Sequence, residues 1–184
     1  AQHWKQAFST SSDKKAFFDF EYDKTNVETF IKDTYGGLYN VIVQANSVLN
    51  NIDERKSVFE SEQLRSVIKA EALAVRAFCH FDVLRMFGQM PDDPKTKVSL
   101  PYAEKVSVEY ARYYGYEDFL EKVLSDLDMA EALLKDNDPL LKINENTGQK
   151  YAYNELYEHE GFLSYRRCRF NYHAVRALKA RVYM

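Results

Sequence analysis

The sequence predicts an all-helical fold of stacked antiparallel helix pairs, and three observations carry that expectation. Glycine and proline are few, six and four in 184 residues, while Ala, Leu, Glu and Lys are plentiful, a balance that favours helix. Two long segments carry apolar residues at alternating spacings of three and four, the mark of an amphipathic helix. A third, Lys69 to Gly88, is apolar around nearly its whole circumference, as expected of a helix enclosed by neighbours.

Residues 1 to 25 carry Trp4 and the cluster Phe17, Phe18, Phe20, Tyr22 without a sustained period, and read as an irregular aromatic lead-in. From Asn26, a candidate N-cap, the series Ile31, Tyr35, Leu38, Ile42, Ala45, Leu49, Ile52 defines one amphipathic helix. Gly36 and Gly37 are expected to kink it or delay its start. Asn46, beside the stripe, is expected to be a core amide tied to neighbouring backbone. After a polar turn at NNIDERK, Ser57 and Glu60 have the spacing of a capping box for the central helix. On that helix Glu71, Asp82 and Arg85 share one strip, and Arg76 and His80 another. In a buried helix such charges must be paired, so Arg76 and Arg85 are expected to meet acidic partners. Gly88 ends the helix, with Pro91 and Pro94 beyond. The connection from Gln89 to about Tyr114 reads as long and irregular, and such loops often carry function. Leu120, Val123, Leu127, Ala130 and Leu134 then define a helix over Tyr116 to Lys135, ended by Asn137 and Pro139. Residues 137 to 169 form a polar excursion with Tyr151, Tyr153, Tyr157, Phe162 and Tyr165, and the last helix opens near Phe170 or Asn171. Its pattern still runs at Met184, so the chain reads as one helical-repeat domain, 1 to 184, and as a fragment of a longer protein.

Chemistry-bearing motifs are sparse. A net charge of -3 with both signs interspersed excludes nucleic acid as an expected partner. No apolar run reaches the roughly 20 residues of a membrane span, and residues 1 to 30 lack the pattern of a signal peptide. Cys79 and Cys168 do not form a disulfide framework, and Cys79 reads as a small buried apolar residue. Cys79, His80 and Asp82 are nearly consecutive, so a helix sends them to different faces and no nucleophilic pair arises there. Glu158, His159 and Glu160 lack the spacing of metal ligands. Gly36 and Gly37 lack the Lys-Ser/Thr of a phosphate loop. No metal, no cofactor and no catalytic residue is expected.

An internal repeat is visible. Ala74, Val75, Arg76, Ala77 recur as Ala174, Val175, Arg176, Ala177, and the stripe Leu38, Ile42, Ala45, Leu49 is matched by Val123, Leu127, Ala130, Leu134. The chain therefore divides into a first helix pair at about 26 to 88 and a second at about 116 to 184, the latter with an insertion at 137 to 169. Ala45 and Ala74 lie 29 residues apart, close to the spacing within a tetratricopeptide unit. Such repeats cannot bury both faces alone, so they stack.

The series YNVIVQANSVLNNID, IKAEALAVRAFCHFDVLRMFGQMP, YEDFLEKVLSDLDMAEALL and NYHAVRALKARVYM resembles the N-terminal, tetratricopeptide-containing portion of the SusD/RagB family of outer-membrane glycan-binding lipoproteins of Bacteroidetes. The likeness spans roughly residues 35 to 184. Its most specific residues are Ala45 and Asn46, then Glu71, Arg76, Ala77 and the aromatics up to Phe87, Gly88 and Pro91, then Asp126, Leu127 and Ala130. The resemblance implies a non-enzymatic nutrient-binding protein at the cell surface, capturing oligosaccharide for a TonB-dependent, SusC-like transporter. Membrane attachment would come only through a lipid anchor on a cysteine this chain does not contain. The alternative is a helical-repeat protein-interaction module with no small ligand.

Sugar rings need aromatic faces flanked by amides, carboxylates and arginines, best supplied from exposed loops. Three stretches qualify: Trp4 with the Phe17 to Tyr22 cluster; Tyr110, Tyr113, Tyr114 and Tyr116; and the Tyr151, Tyr153, Tyr157 excursion. Each competes with a plain reading as packing of a loop onto the stack. The resemblance, in which the segment ahead of the first pair contributes sugar contacts, favours Trp4 and Tyr22. With Tyr113 and Tyr114 these are the candidate ligand-binding residues.

Overall fold

The structure, a computed structural model, describes residues 15–17, 19–89, 92–93, 95–107, 109, 111–141, 163 and 166–184. Trp4, Phe18, Pro91, Pro94, Tyr110, the Tyr151, Tyr153, Tyr157 excursion and the Glu158-His159-Glu160 triplet lie outside the described residues. The chain divides into two compact units, Ala1–Tyr39 and Asn40–Met184.

Helix α1, Thr25–Asn51, begins in the first unit and ends in the second. In the first unit, Glu28 pairs with Lys32 one turn on (2.8 Å). Gly36 and Gly37 lie inside the helix and neither kinks it into a break nor delays its start; a Cβ at either would meet nothing within 4 Å. Their cost is therefore one of backbone freedom alone, and the surrounding turns absorb it.

In the second unit, a polar turn leads to α2, Glu62–Phe87. Its N-cap is Ser61, whose hydroxyl accepts from the Leu64 backbone N–H (3.1 Å), and not the predicted Ser57, which sits in a 3-10 turn at Lys56–Val58. Serine-rich sequence around 57 to 66 offers several cap registers, and packing of Leu64 and Val67 into the core selects this one. No residue from Leu64 to Leu84 is exposed, as the all-round apolar pattern requires. The helix ends at Gly88, where a Cβ would come within 2.2 Å of the Leu84 carbonyl oxygen. Only a residue without a side chain leaves the helix along this path unstrained.

The connection that follows is not wholly irregular. Strands β1, Lys97–Tyr102, and β2, Arg112–Gly115, pair antiparallel, with Pro101 opposite Tyr113, Tyr102 opposite Arg112, and an irregularity between Lys97 and Pro101. Val98, Leu100 and Tyr102 are buried while Lys97 and Ser99 are exposed, a period of two that places one face on the helices. Helix α3, Tyr116–Asn137, buries Phe119, Val123, Leu127, Ala130 and Leu134, the predicted stripe with Phe119 in place of Leu120. Helix α4, Tyr172–Tyr183, is capped by Asn171, which accepts from Ala174 N–H (2.9 Å).

Side-chain pairs give the directions. Asn46 meets Arg76 and Asp53 meets Arg65 and Lys69, so the end of α1 runs antiparallel to α2. Arg76 meets Asp126 and Gln63 meets the Asn137 carbonyl, so α2 and α3 are antiparallel. Arg176 meets Glu131 while Lys179, further along α4, reaches back to Asp128, which sets α4 antiparallel to α3. Among the described residues the fold is helical apart from one small hairpin. The shared Ala-Val-Arg-Ala motif does not mark equivalent environments: Arg76 is buried, whereas the Arg176 side chain is 61% exposed and reaches Glu131 at 3.5 Å.

Candidate functional site

The site grows outward from a buried polar cluster. Arg76 sits on the α2 face turned toward α3 and grips Asp126 with two bonds, Nε to Oδ2 (2.7 Å) and Nη2 to Oδ1 (2.6 Å), the fork geometry that makes arginine suited to buried carboxylates. Its Nη1 donates to Asn46 Oδ1 (2.9 Å) and to the Glu104 carbonyl (3.0 Å). Burial works against the Arg76 charge, but Asp126 outweighs it and keeps the guanidinium protonated. Tyr102 donates its hydroxyl to Asp126 (3.1 Å), and burial, then the Asp126 charge, raise its pKa so that the phenol stays neutral. Asn46 is the expected core amide, donating to the Ala103 carbonyl (2.9 Å).

His80 completes the cluster. It lies parallel to the Tyr102 ring at 3.9 Å between centroids. Its Nδ1 is 3.0 Å from the Arg76 carbonyl and its Nε2 accepts from the Ala103 N–H (3.0 Å). A carbonyl on one nitrogen and an N–H on the other allow only the neutral tautomer with the proton on Nδ1. Burial lowers the His80 pKa to about 3. Three helix side chains thus hold the backbone of Ala103 and Glu104 where β1 ends.

That anchorage presents the Glu104 carboxylate to a surface cleft. One oxygen accepts from Lys122 Nζ (2.8 Å) and the other from the Tyr114 hydroxyl (3.3 Å). The cleft, about 350 Å³, is lined by Arg112 and Tyr114 of β2 and by Asp118, Glu121, Lys122 and Ser125 on one face of α3, residues brought together by helical spacing. The Lys122 ammonium lies 4.7 Å and the Arg112 guanidinium carbon 5.2 Å from the Tyr114 ring centroid. Burial opposes the Lys122 charge, yet the hydrogen bond and charge of Glu104 prevail and raise its pKa above the usual lysine value. The volume falls within the range of small-ligand sites, and one aromatic ring amid donors and acceptors is the chemistry that polyhydroxylated rings need.

Of the predicted residues, Tyr114 lines the cleft. Tyr113, its neighbour in β2, points to the opposite side of the strand and is 46% exposed. Tyr22 belongs to the first unit, where it is 52% exposed and meets Phe17 and Phe20 edge-on, at 6.4 and 6.0 Å. Trp4 lies outside the described residues. Sequence reasoning missed Arg112, Glu104, Asp118, Glu121, Lys122 and Ser125; the i, i+3, i+4 and i+7 spacing of the last four was a readable signal. The charges of α2 are paired as expected, but Arg85, bonded to Asp82 at 3.0 Å, has a half-exposed side chain because it lies in the last turn. Cys79 is buried and its thiol is pushed up to about 11 by burial and then by Asp82, while Cys168 is exposed. Among the described residues no group of His, Cys, Asp and Glu has the arrangement of a metal site, and no helix is long and apolar enough to cross a membrane.

Antiparallel helices carrying a shallow polar cleft, with every buried side-chain polar atom among the described residues hydrogen-bonded, define a helical scaffold. A SusD-like family described as starch-binding associating with outer membrane matches residues 2–156, and the chain belongs to that family. A SusD-like protein of Formosa agariphila is 32% identical over 107 residues, covering 56% of this chain and 18% of that protein. The chain therefore spans under a fifth of the length of the curated relative it matches. SusD-like proteins are binding proteins associated with the outer membrane.

Proposed function

We propose that this chain is the helical portion of a longer, non-enzymatic surface lipoprotein that captures oligosaccharide and delivers it to a TonB-dependent, SusC-like transporter. The observation that carries the ligand half of this reading is the cleft at the β2–α3 junction, where the Tyr114 ring is surrounded by Arg112, Asp118, Glu121, Lys122 and Ser125. Family membership supports the outer-membrane half. In this reading the helices are scaffold and partner surface, and Tyr114, with Tyr113, Tyr22 and Trp4 as further candidates, supplies aromatic contacts to sugar.

Calorimetry of the intact polypeptide against a panel of plant and host glycans tests it. Binding is expected for the intact polypeptide and much weaker binding for the 184-residue chain alone, because stacking and hydroxyl contacts converge from several loops. Tyr114→Ala and Trp4→Ala should each cost about 1 to 3 kcal/mol, on the scale known for bases stacked on aromatics. Undiminished affinity removes the altered residue from the site. Absence of binding to every glycan, with tight binding of a protein instead, overturns glycan capture in favour of an interaction module.

A further inference from the structure

One cation lining the cleft is paired by a carboxylate outside the lining, and the effect on ligand choice follows from that geometry. Its lining carries two cations, Arg112 and Lys122, and two carboxylates, Asp118 and Glu121. Among the described residues Arg112, Asp118 and Glu121 make no ion pair, whereas Lys122 is bound at 2.8 Å by Glu104 from outside the lining. The charges left to face a ligand are thus one guanidinium against two carboxylates. The backbone that carries Glu104 is fixed, its own carbonyl by buried Arg76 and the preceding residue by Asn46 and His80, while its half-exposed carboxylate is held by Lys122 and the Tyr114 hydroxyl. Its second carboxylate oxygen holds the Tyr114 hydroxyl, so the same group orients the ring and parks the ammonium 4.7 Å from it.

We propose that Glu104 sets the charge selectivity of this cleft, cancelling the Lys122 charge so that the site takes uncharged sugar rings and turns away acidic ones. The inference rests on the reading of the cleft as a glycan site. Glu104 acts through Lys122 and Tyr114 and is a positioning residue. A carboxylated sugar entering the native cleft meets net negative charge. Neutralising Glu104 returns the ammonium to the cleft and removes that bias.

The test compares maltohexaose with hexagalacturonate as probes, by calorimetry, on the intact polypeptide and on its Glu104→Gln and Glu104→Gln/Lys122→Met variants. Glu104→Gln is expected to bind hexagalacturonate about fivefold to tenfold more tightly at low salt, the size of one unscreened charge near a surface. Maltohexaose affinity should not rise with it, because an uncharged ring gains nothing from the released ammonium. The gain should disappear in the double variant and shrink at high salt, where exposed charges are screened; a purely structural role for Glu104 would produce no gain at all. A native protein that prefers hexagalacturonate, or a Glu104→Gln variant with no gain, overturns the proposal. Acetylation of Lys122, followed by mass spectrometry, separates the two readings, because losing the Glu104 contact should speed it severalfold. Unchanged acetylation overturns the role of Glu104 whatever the sugars do. Faster acetylation with neither probe bound by any of the proteins overturns the glycan reading, and the selectivity with it, while upholding the ion pair.

Discussion

Removing Arg76 isolates the contribution of the buried cluster. The Arg76 side chain is 9% exposed and that of Asp126 5%, so an Arg76→Met variant leaves a carboxylate inside the protein with the Tyr102 hydroxyl as its one remaining donor among the described contacts. The variant also strips donors from Asn46 Oδ1 and the Glu104 carbonyl. Methionine keeps most of the volume, so the cost is electrostatic and polar and not that of a cavity. Breaking a buried pair on one side costs about 3 to 5 kcal/mol. For a chain of this size each kcal/mol moves Tm by about 2 to 4 °C, so a fall of roughly 6 to 20 °C is expected. Circular dichroism at 222 nm on heating, with urea unfolding for the free energy, measures it. Arg76→Met/Asp126→Leu removes both charges and should recover at least about 1 kcal/mol relative to Arg76→Met, since the orphaned carboxylate is gone. Recovery should be incomplete, because Tyr102 then lacks its acceptor. An Arg76→Met protein within about 1 kcal/mol of the native one would refute the enclosed-helix argument, and a double variant less stable than both singles would refute the orphaned-charge argument.

Three further outcomes are expected. His80 is neutral in the fold, with a pKa near 3 against 6.5 for the free side chain, so the unfolded chain binds the extra proton between those values. Stability from this residue is complete well above pH 6.5 and is lost as pH falls, by about 1.6 kcal/mol between pH 6.5 and 5; urea unfolding should show that slope in the native protein and a flatter one in His80→Gln. Ser61→Ala should lose about 1 kcal/mol as the true α2 cap, whereas Ser57→Ala should change urea stability by less than about 0.5 kcal/mol; the reverse order would restore the sequence-predicted cap. A thiol reagent should label Cys168 and spare Cys79 in the native state and label both in denaturant, and equal native labelling would contradict the burial of α2.

The sequence by itself determined what local periodicity can carry. The apolar circumference of Leu64 to Leu84 marks an enclosed helix wherever its neighbours lie, and the Val123, Leu127, Ala130, Leu134 stripe names the buried side of α3 without knowledge of what covers it. Gly88 and Asn171 mark helix ends because capping involves groups within one turn. Tertiary structure decided the rest. Ser57 and Ser61 are both plausible caps, and the packing of Leu64 chose between them. The alternation of Val98, Leu100 and Tyr102 was legible but short and interrupted by Pro101, and it became a strand only through pairing with residues 112 to 115. Arg76 and Arg176 sit in the same four-residue motif, yet one is buried against Asp126 and the other faces solvent. The cleft was the least legible feature. Tyr114 could be singled out as an exposed aromatic, but Glu104 and Lys122 join it only because Asn46, Arg76 and His80, on two other helices, fix the end of β1 beside α3. Periodicity is a property of neighbours in the chain, whereas the partners of a buried charge are chosen by packing between segments far apart in sequence.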